Sequence, residues 1–308
     1  MTKKISIVAH CYNEEGNIQE MHARVKAAMQ SLPGYSYEHI FIDNASTDAT
    51  QEILKDLARR DHNLKVILNT RNFGQIRSAR HVMLEATGDA VICMVADLQD
   101  PPELIPELIK KWEEGNPIVV CVRPQAEETM LSFVVRKAFY ALMGRLSEVK
   151  LIKYFSGFGL YEKKVMQIVR ETDSPYFRGI ICDIGLPHAE IVYVYPKRKR
   201  GSSKHNVYTL YDIVMAGITH YSKAPLRLAA MSGFVLGVAC LFVLLGHFVY
   251  KLLFWDSFRL GMAPLIIGFF FWGAAQLIFI GIIGEYIRSI HAQVLRRPLI
   301  VERERINC

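Results

Sequence analysis

The segment MVADLQDPPELI, residues 94–105, places a carboxylate directly after an apolar run. Asp97 ends that run, and Asp100 precedes Pro101 and Pro102. One interpretation is a divalent-metal site for the phosphates of a nucleotide, because Mg²⁺ and Mn²⁺ prefer oxygen ligands. The other is a strand-to-helix turn in which Asp100 caps a helix that begins at the prolines. The segment alone does not distinguish the metal site from the helix cap. The neighbouring strands and loops must be considered to choose between them.

Continuous apolar runs alternate with helical patterns through the first part of the chain. The first helical pattern places Ile18, Met21, Val25 and Met29 on one face. Continuous rather than alternating apolar runs indicate a mostly parallel sheet covered on both faces, so the fold class is α/β. Ligands of such sheets bind beyond the carboxyl ends of the strands. Polar clusters follow the predicted strands there: YNEE, DNAS, NTRNFG, DLQD and RPQ.

The composition is apolar and basic. Of the 308 residues, 51% are hydrophobic and 22% are charged, and the formal net charge is +7. A basic balance is typical of proteins that bind nucleic acid, anionic membranes or phosphorylated substrates. The six cysteines have no metal-binding spacing, which indicates free thiols in a reducing compartment. The apolar run near the first residue is too short for a signal peptide.

Two long segments near the end of the sequence predict membrane spans. Leu228–Tyr250 has no charged residue, and Pro264–Ile287 is similarly apolar. Basic residues flank both, which predicts that both termini are cytoplasmic in a multi-pass protein. Residues 130–146 are either a core helix or an interfacial helix, and residues 207–221 predict another amphipathic interfacial helix. The predicted divisions are a catalytic domain (1–205), an interfacial helix and linker (206–227), a two-helix transmembrane domain (228–287) and a basic cytoplasmic tail (288–308).

Taken in order, these motifs resemble those of the membrane-bound polyprenyl-phosphate glycosyltransferases of glycosyltransferase family 2. The resemblance covers nearly the whole chain and includes YNEEGNI, DNASTDAT, RNFG, ADLQDPPELIPELIKKWEEG, KRKRGSSK, APLR and GEYI. It implies a GT-A, Rossmann-like catalytic domain, a nucleotide-sugar donor, Mg²⁺ or Mn²⁺ and a lipid-phosphate acceptor. It also implies that the protein is located in the bacterial inner membrane and forms a homo-oligomer. Nucleic acid is not expected, because the basic run lies just before the membrane segments.

The resemblance assigns roles to individual residues. Asp97 would bind the metal with Gln99 beside it, and Asp100 would cap the helix. Asp43 would hydrogen-bond the base, although it could instead close an Asx turn in DNAS. The nucleotide-binding residues would be Tyr12, Asn13, Glu14, Asp43, Arg71, Ser203 and Lys204.

Basic residues would hold the two anionic substrates together. The resemblance places Arg123 near the acceptor phosphate, and Arg136 and Lys137 would reach the same phosphate from an apolar helix. Arg198 belongs to the pattern R-x-x-G-x-S-K, whose loop would close over the donor phosphates. The alternative for this loop is a basic stretch that is attracted to anionic lipid.

Three positions depart from the family pattern. Val95 and Gly157 replace acidic residues, and Asn44 replaces the second acid of D-D-G-S. The loss at Gly157 leaves the catalytic base unassigned. Either no base is needed, because the acceptor phosphate is already ionised, or Glu162 or Asp183 substitutes.

The leading hypothesis is transfer of one sugar, from a UDP-hexose or UDP-N-acetylhexosamine, to undecaprenyl phosphate at the cytoplasmic face. The second hypothesis is a catalytically silent membrane scaffold that binds nucleotide-sugar or lipid phosphate. A processive polysaccharide synthase is disfavoured, because the chain lacks Q-x-x-R-W and has only two predicted spans.

Overall fold

The computed structural model describes residues 2–124, 152–172, 177–194, 224–254, 262–294 and 300–308. They form two compact units. The first unit contains the described residues up to 194 together with residues 300–308, and the second contains residues 224–254 and 262–294.

The first unit contains an eight-stranded mixed sheet in the order β7-β5-β6-β4-β1-β2-β3-β8. Parallel pairing joins β1 to β2 and β4, β2 to β3, and β5 to β7, whereas β6 and β8 are antiparallel to their neighbours. The mostly parallel sheet confirms the α/β prediction. The strands are β1 Lys3–Cys11, β2 Tyr35–Asp43, β3 Leu64–Asn69, β4 Ala90–Val95, β5 Ile118–Val122, β6 Phe155–Glu162, β7 His188–Val192 and β8 Glu302–Ile306.

Helices follow most of the strands, and apolar clusters cover both faces of the sheet. In α1, the predicted face of Ile18, Met21, Val25 and Met29 is buried against the sheet. The described helices of this unit are α1 Ile18–Gln30, α2 Thr50–Arg60, α3 Gln75–Glu85, α4 Ile105–Glu113, α5 Lys163–Glu171 and α6 Phe177–Asp183, and a 3₁₀ turn covers Pro102–Leu104.

A buried carboxylate ties the amino-terminal halves of the central strands together. Glu38 is 2% exposed and forms ion pairs with Lys4 at 2.8 Å and Lys65 at 2.9 Å. It also accepts hydrogen bonds from Ser6 at 2.6 Å and from the backbone N–H of Thr87 at 2.9 Å. These contacts satisfy the buried charge of Glu38. Without them, a buried carboxylate would be strongly unfavourable.

Strand β8 covers the edge of β3, an arrangement that the sequence did not predict. Its register pairs Val66 with Ile306 and Leu68 with Glu304. Asn307 donates hydrogen bonds to the carbonyl oxygens of Ala58, at 2.7 Å, and Leu64, at 2.9 Å. Part of the segment expected to be a basic tail is therefore an integral strand of the sheet.

The second unit contains two long helices, α7 Ala224–Leu253 and α8 Met262–Val294. Both carry exposed apolar side chains, such as Phe234 in α7 and Phe269 in α8. In the part of the chain that the structure describes, however, no helix has the length and apolar character that crossing a membrane requires. The two predicted spans, Leu228–Tyr250 and Pro264–Ile287, are therefore not supported.

Candidate functional site

The parallel register brings the polar clusters to one edge of the sheet. Cys11, the last residue of β1, is paired with Asp43, the last residue of β2. His10 is paired with Val95 at the end of β4. The loops that begin at Tyr12, Asn44 and Ala96 therefore leave the sheet side by side, as expected for a parallel sheet.

Reciprocal hydrogen bonds join the first two of these loops. The backbone N–H of Asn13 donates to Ser46 Oγ at 2.8 Å, and the N–H of Thr47 donates to Asn13 Oδ1 at 2.8 Å. The N–H of Glu14 donates to Thr50 Oγ1 at 2.9 Å. Asn13 has a φ of 55°, in the left-handed region that asparagine tolerates better than most residues. YNEE and DNAS thus form one pre-ordered surface.

Asp43 closes the second loop. Its side chain is fully buried, and its Oδ2 accepts hydrogen bonds from the Ser46 N–H at 3.0 Å and from Gln51 Nε2 at 2.7 Å. Its Oδ1 accepts a short hydrogen bond from the Ser46 hydroxyl. The expected local turn is therefore present, and the contact of Asp43 with a nucleotide base stays a prediction.

Asn44 connects the second loop to the loop after β3. Its Nδ2 donates to Asn72 Oδ1 at 2.9 Å, and its Oδ1 accepts from Asn69 Nδ2 at 3.2 Å and from the Phe73 N–H at 2.9 Å. An ionised aspartate could accept the last two bonds but could not donate the first. The departure from D-D-G-S therefore has a structural explanation.

Arg71 lies in the same loop after β3 and is exposed. Its guanidinium lies 4.0 Å from the ring centroid of Phe73, a cation–π distance. Its Nη1 donates to the backbone oxygen of Asn72 at 3.3 Å. The predicted nucleotide-binding arginine is thus part of the loop that Asn44 anchors.

The loop after β4 presents Asp97 in a tight turn. Asp97 is 9% exposed, and its Oδ1 accepts a hydrogen bond from the N–H of Gln99 at 3.1 Å. Between them, Leu98 has a φ of 62°. A branched residue seldom adopts this conformation, so the turn is strained, as loops at functional sites often are.

The expectation that Asp100 caps a helix is wrong. Its carboxylate turns back and accepts hydrogen bonds from the Val95 N–H at 3.0 Å and from the Tyr193 hydroxyl at 3.0 Å. The following 3₁₀ turn and α4 have no side-chain cap. Burial raises the pKa of Asp100 to about 6, and the nearby Asp97 carboxylate contributes to this rise.

Arg123 immediately follows β5 at the same edge. Its backbone N–H donates to the carbonyl oxygen of Tyr154 at 3.2 Å. Its positive charge acts to lower the pKa of Asp100, against the larger effects of burial and Asp97. Arg123 and Asp97 are therefore both close enough to Asp100 for their charges to affect its pKa. The sequence predicted that Arg123 and Asp97 lie at the same edge of the sheet.

Gly157, where the family pattern has an acid, has a φ of 106°. This is a left-handed conformation that L side chains rarely adopt, so an aspartate would be strained there. Glu162 does not replace the missing acid, because its pairing with Ala90 places it at the opposite edge of the sheet. Its carboxylate is paired instead with Lys164 at 3.2 Å.

Five predicted site residues lie outside the described part of the chain: Arg136, Lys137, Arg198, Ser203 and Lys204. Their roles stay predictions.

The residues around Asp97 fit a divalent cation only in part. Asp97 and Gln99 offer hard oxygen ligands, which suit Mg²⁺ or Mn²⁺. Val95 offers none, and both oxygens of Asp100 already accept hydrogen bonds. A group of three His, Cys, Asp or Glu side chains that could hold a metal ion does occur among the described residues, but away from Asp97, at His81, Glu85 and Glu302. A cation at Asp97 would therefore need substrate oxygens and water to complete its coordination.

Three contributors to the site were not found from the sequence: Asn44 as a cross-link, Gln51 as a partner of Asp43, and Tyr193 as a partner of Asp100. Gln51 lies one turn after DNAS, so its helical position was a usable signal. Tyr193 is 93 residues from Asp100, and no local pattern connects the two.

The fold and the edge cluster define an α/β protein whose candidate ligand site lies beyond the carboxyl ends of parallel strands. Residues 6–182 match the family model described as "Glycosyl transferase family 2". The chain belongs to this family and is a glycosyltransferase by that membership.

Relatives match nearly the full chain. An SfII prophage-derived bactoprenol glucosyl transferase of Shigella flexneri is 34% identical over 300 residues, which cover 96% of each chain. The uncharacterized glycosyltransferase YkcC of Bacillus subtilis is 33% identical over 302 residues, which cover 96% of this chain and 92% of YkcC. The mannosyltransferase PcManGT from Pyrobaculum calidifontis, solved in complex with GDP-Man and Mn²⁺, is 16% identical with a TM-score of 0.47, covering 96% of this chain and 85% of that one.

Proposed function

We propose that the protein is an inverting glycosyltransferase that moves one sugar from a nucleotide-sugar to undecaprenyl, or another polyprenyl, phosphate. The proposed donor is a UDP-hexose or a UDP-N-acetylhexosamine. The observation that carries this proposal is the convergence of Asn13, Asp43, Asp97 and Arg123 at one edge of the sheet. Similarity to bactoprenol glucosyl transferases supports the choice of acceptor.

The first two loops would bind the nucleotide. Tyr12, Asn13 and Glu14 lie in a surface that internal hydrogen bonds already order. Because the loops are pre-ordered, little conformational entropy would be lost when the donor binds. Arg71 is exposed beside this surface and would supply positive charge to the donor.

Mg²⁺ or Mn²⁺ at Asp97 and Gln99 would neutralise charge on the leaving nucleoside diphosphate. The chain itself contributes the strained turn at Leu98, in which the backbone N–H of Gln99 donates to Asp97 Oδ1. Arg123 adds a fixed positive charge nearby.

The acceptor needs orientation more than activation. A phosphate monoester is already anionic at neutral pH, so a general base is not required. This agrees with the backbone conformation at Gly157 and with the position of Glu162 at the far edge. Arg123 would hold the acceptor phosphate against the donor, and a single displacement would invert the anomeric centre.

The proposed location is the cytoplasmic face of the bacterial inner membrane. The acceptor is a lipid, and α7 and α8 expose large apolar side chains that include Phe234, Phe242 and Phe269. Exposed apolar surface of this kind favours contact with lipid or with another protein. A homo-oligomer is part of the same proposal.

A transfer assay tests the proposal. Purified protein in detergent is incubated with undecaprenyl phosphate, radiolabelled UDP- or GDP-sugars, and either Mn²⁺ or excess EDTA. We expect a lipid-linked product from one UDP-sugar, and loss of this product with EDTA. In Asp97→Asn, activity should fall by about a hundredfold, the upper end of the effect of changing a residue that supports a metal site, because the charged oxygen ligand is replaced by a neutral one. The control Asp56→Asn changes an exposed carboxylate on α2 and should retain activity. Nucleotide binding without transfer from any donor would favour the scaffold hypothesis instead.

A further inference from the structure

Residues 300–308, called the strap, contact the loop after β3 and the first turn of α2, the helix that follows the loop after β2. The backbone N–H and the hydroxyl of Thr70 each donate to the Val301 carbonyl oxygen at 3.0 Å. Thr70 directly precedes Arg71. Two residues further along the strap, Arg303 Nη2 donates to Gln51 Oε1 at 2.6 Å. The strap therefore contacts the surroundings of the candidate nucleotide surface at two points.

The contact between Arg303 and Gln51 determines which way the Gln51 amide faces. A guanidinium can only donate hydrogen bonds, so it must meet the carbonyl oxygen of the amide. The Gln51 NH₂ group then faces the other way, where it donates to Asp43 Oδ2 at 2.7 Å and to the Ser46 carbonyl oxygen at 3.1 Å. The opposite orientation would place an amide oxygen against the buried Asp43 carboxylate, which is repulsive.

The effect extends from Gln51 to the first loop. Asp43 accepts a short hydrogen bond from the Ser46 hydroxyl, and the same Ser46 oxygen accepts the Asn13 N–H at 2.8 Å. A continuous hydrogen-bonded series thus runs from Arg303 through Gln51, Asp43 and Ser46 to Asn13. Such linked bonds favour one arrangement of all the groups in the series.

We propose that Arg303 is a positioning residue for the donor nucleotide: it fixes the Gln51 amide and thereby holds the Asp43 and Asn13 loops in their binding arrangement. This inference rests on the proposed nucleotide-sugar transfer. Because Arg303 acts through Gln51, its loss should weaken nucleotide binding more than it slows the chemical step.

The next strap residue provides a matched control. Glu304 forms an ion pair with Lys55 at 2.6 Å, the same distance as the Arg303 bond, and Lys55 is one helical turn beyond Gln51 on α2. Glu304→Ala removes a contact between the strap and α2 of equal length, but one that does not reach Asp43. A general effect of loosening the strap would therefore appear in both variants.

The test measures UDP affinity by calorimetry, donor KM and kcat by transfer, and thermal unfolding, in the wild type, Arg303→Ala, Arg303→Lys and Glu304→Ala. For Arg303→Ala we expect UDP affinity to fall and donor KM to rise by about three- to tenfold, with a much smaller change in kcat. Arg303→Lys, which retains a donor, should recover part of the loss. Glu304→Ala should match the wild type in donor KM.

The variant Gln51→Glu tests the hydrogen bond from Gln51 to Asp43 separately from the contact between Gln51 and Arg303. Glutamate keeps an acceptor for Arg303 but removes the donor to Asp43, so donor KM should rise at least as much as in Arg303→Ala. In the Gln51→Glu background, Arg303→Ala should lose most of its own effect on donor KM, since the series is already broken.

Equal changes in Arg303→Ala and Glu304→Ala, or unchanged UDP affinity in Arg303→Ala beside a wild type that binds UDP, would overturn the positioning role while leaving the proposed function intact. A wild type that binds no nucleotide and transfers no sugar would overturn the proposed function, and this inference with it.

Discussion

The hydroxyl of Tyr193 donates a 3.0 Å hydrogen bond to Oδ1 of Asp100, although the two residues are 93 positions apart. Asp100 therefore links the end of β4 to the segment after β7, with Arg123 nearby. The bond ties the strained loop that carries Asp97 to the residue after β7, the outermost strand on that side of the sheet.

Tyr193→Phe should destabilise the fold and disturb this loop. The buried Asp100 carboxylate would lose a donor, so the free energy of unfolding should fall by about 1–3 kcal/mol. Urea denaturation measures this change, and the transfer assay should show reduced activity at saturating donor. Unchanged stability would show that another group replaces the hydroxyl.

Asn44→Asp restores the acid of the family pattern but should weaken the protein. The new carboxylate cannot donate to Asn72 Oδ1, and it would lie against that oxygen in a site where Asn44 is only 4% exposed. We expect a loss of about 1–3 kcal/mol in unfolding free energy. A stability equal to that of the wild type would mean that the amide donor at this position contributes nothing.

Gly157→Asp should not create a catalytic base. Any L side chain is strained at a φ of 106°, and we expect destabilisation of about 1–3 kcal/mol. Gly157→Ala is the control, because it adds the same backbone strain without the charge. Faster transfer in Gly157→Asp, with Gly157→Ala unchanged or slower, would contradict the conclusion that no base is needed.

Acid should destabilise the first unit through Glu38. Burial alone would raise the pKa of Glu38, but hydrogen bonds from Lys4, Ser6 and Lys65 outweigh it and lower the pKa to about 2. The folded state therefore binds fewer protons than the unfolded state between pH 2 and the ordinary value of 4.5. The stabilisation, about 3 kcal/mol, is present above pH 5 and is lost as the pH falls towards 2.

Urea titrations between pH 3 and pH 7 measure this effect. Glu38→Gln should be less stable than the wild type at pH 7, and the difference between them should narrow at pH 3. A constant difference across this range would show that the charge of Glu38 is not responsible.

Much of the parallel sheet was predictable because buried strands and the apolar face of α1 leave strong periodic signals. Asp97 and Arg123 were also placed at the right edge, since each directly follows an apolar run. The role of Asp100 was not predictable, because its partner Tyr193 comes from a distant strand end. An aspartate before two prolines has the sequence pattern of a helix cap, even when, as here, its side chain accepts a hydrogen bond from the preceding strand instead.

Strand β8 shows a second limit of the sequence. ERERI alternates charges and has a single apolar residue, so its pattern does not indicate a strand. Its conformation comes from pairing with β3 and from side-chain partners on α2 and α3, such as Lys55 and Glu85. Tertiary pairing here overrides a weak local preference.

The pairing of β3 with β8 also has a consequence during synthesis. Lys55 and Glu304 meet across 249 positions of sequence, so most of the sheet can form long before its last strand leaves the ribosome. Until then the backbone donors and acceptors along the outer side of β3 have no strand to pair with, and an open edge invites pairing with other chains. The edge of β3 is therefore open to pairing with other chains until residues 302–306 have been translated.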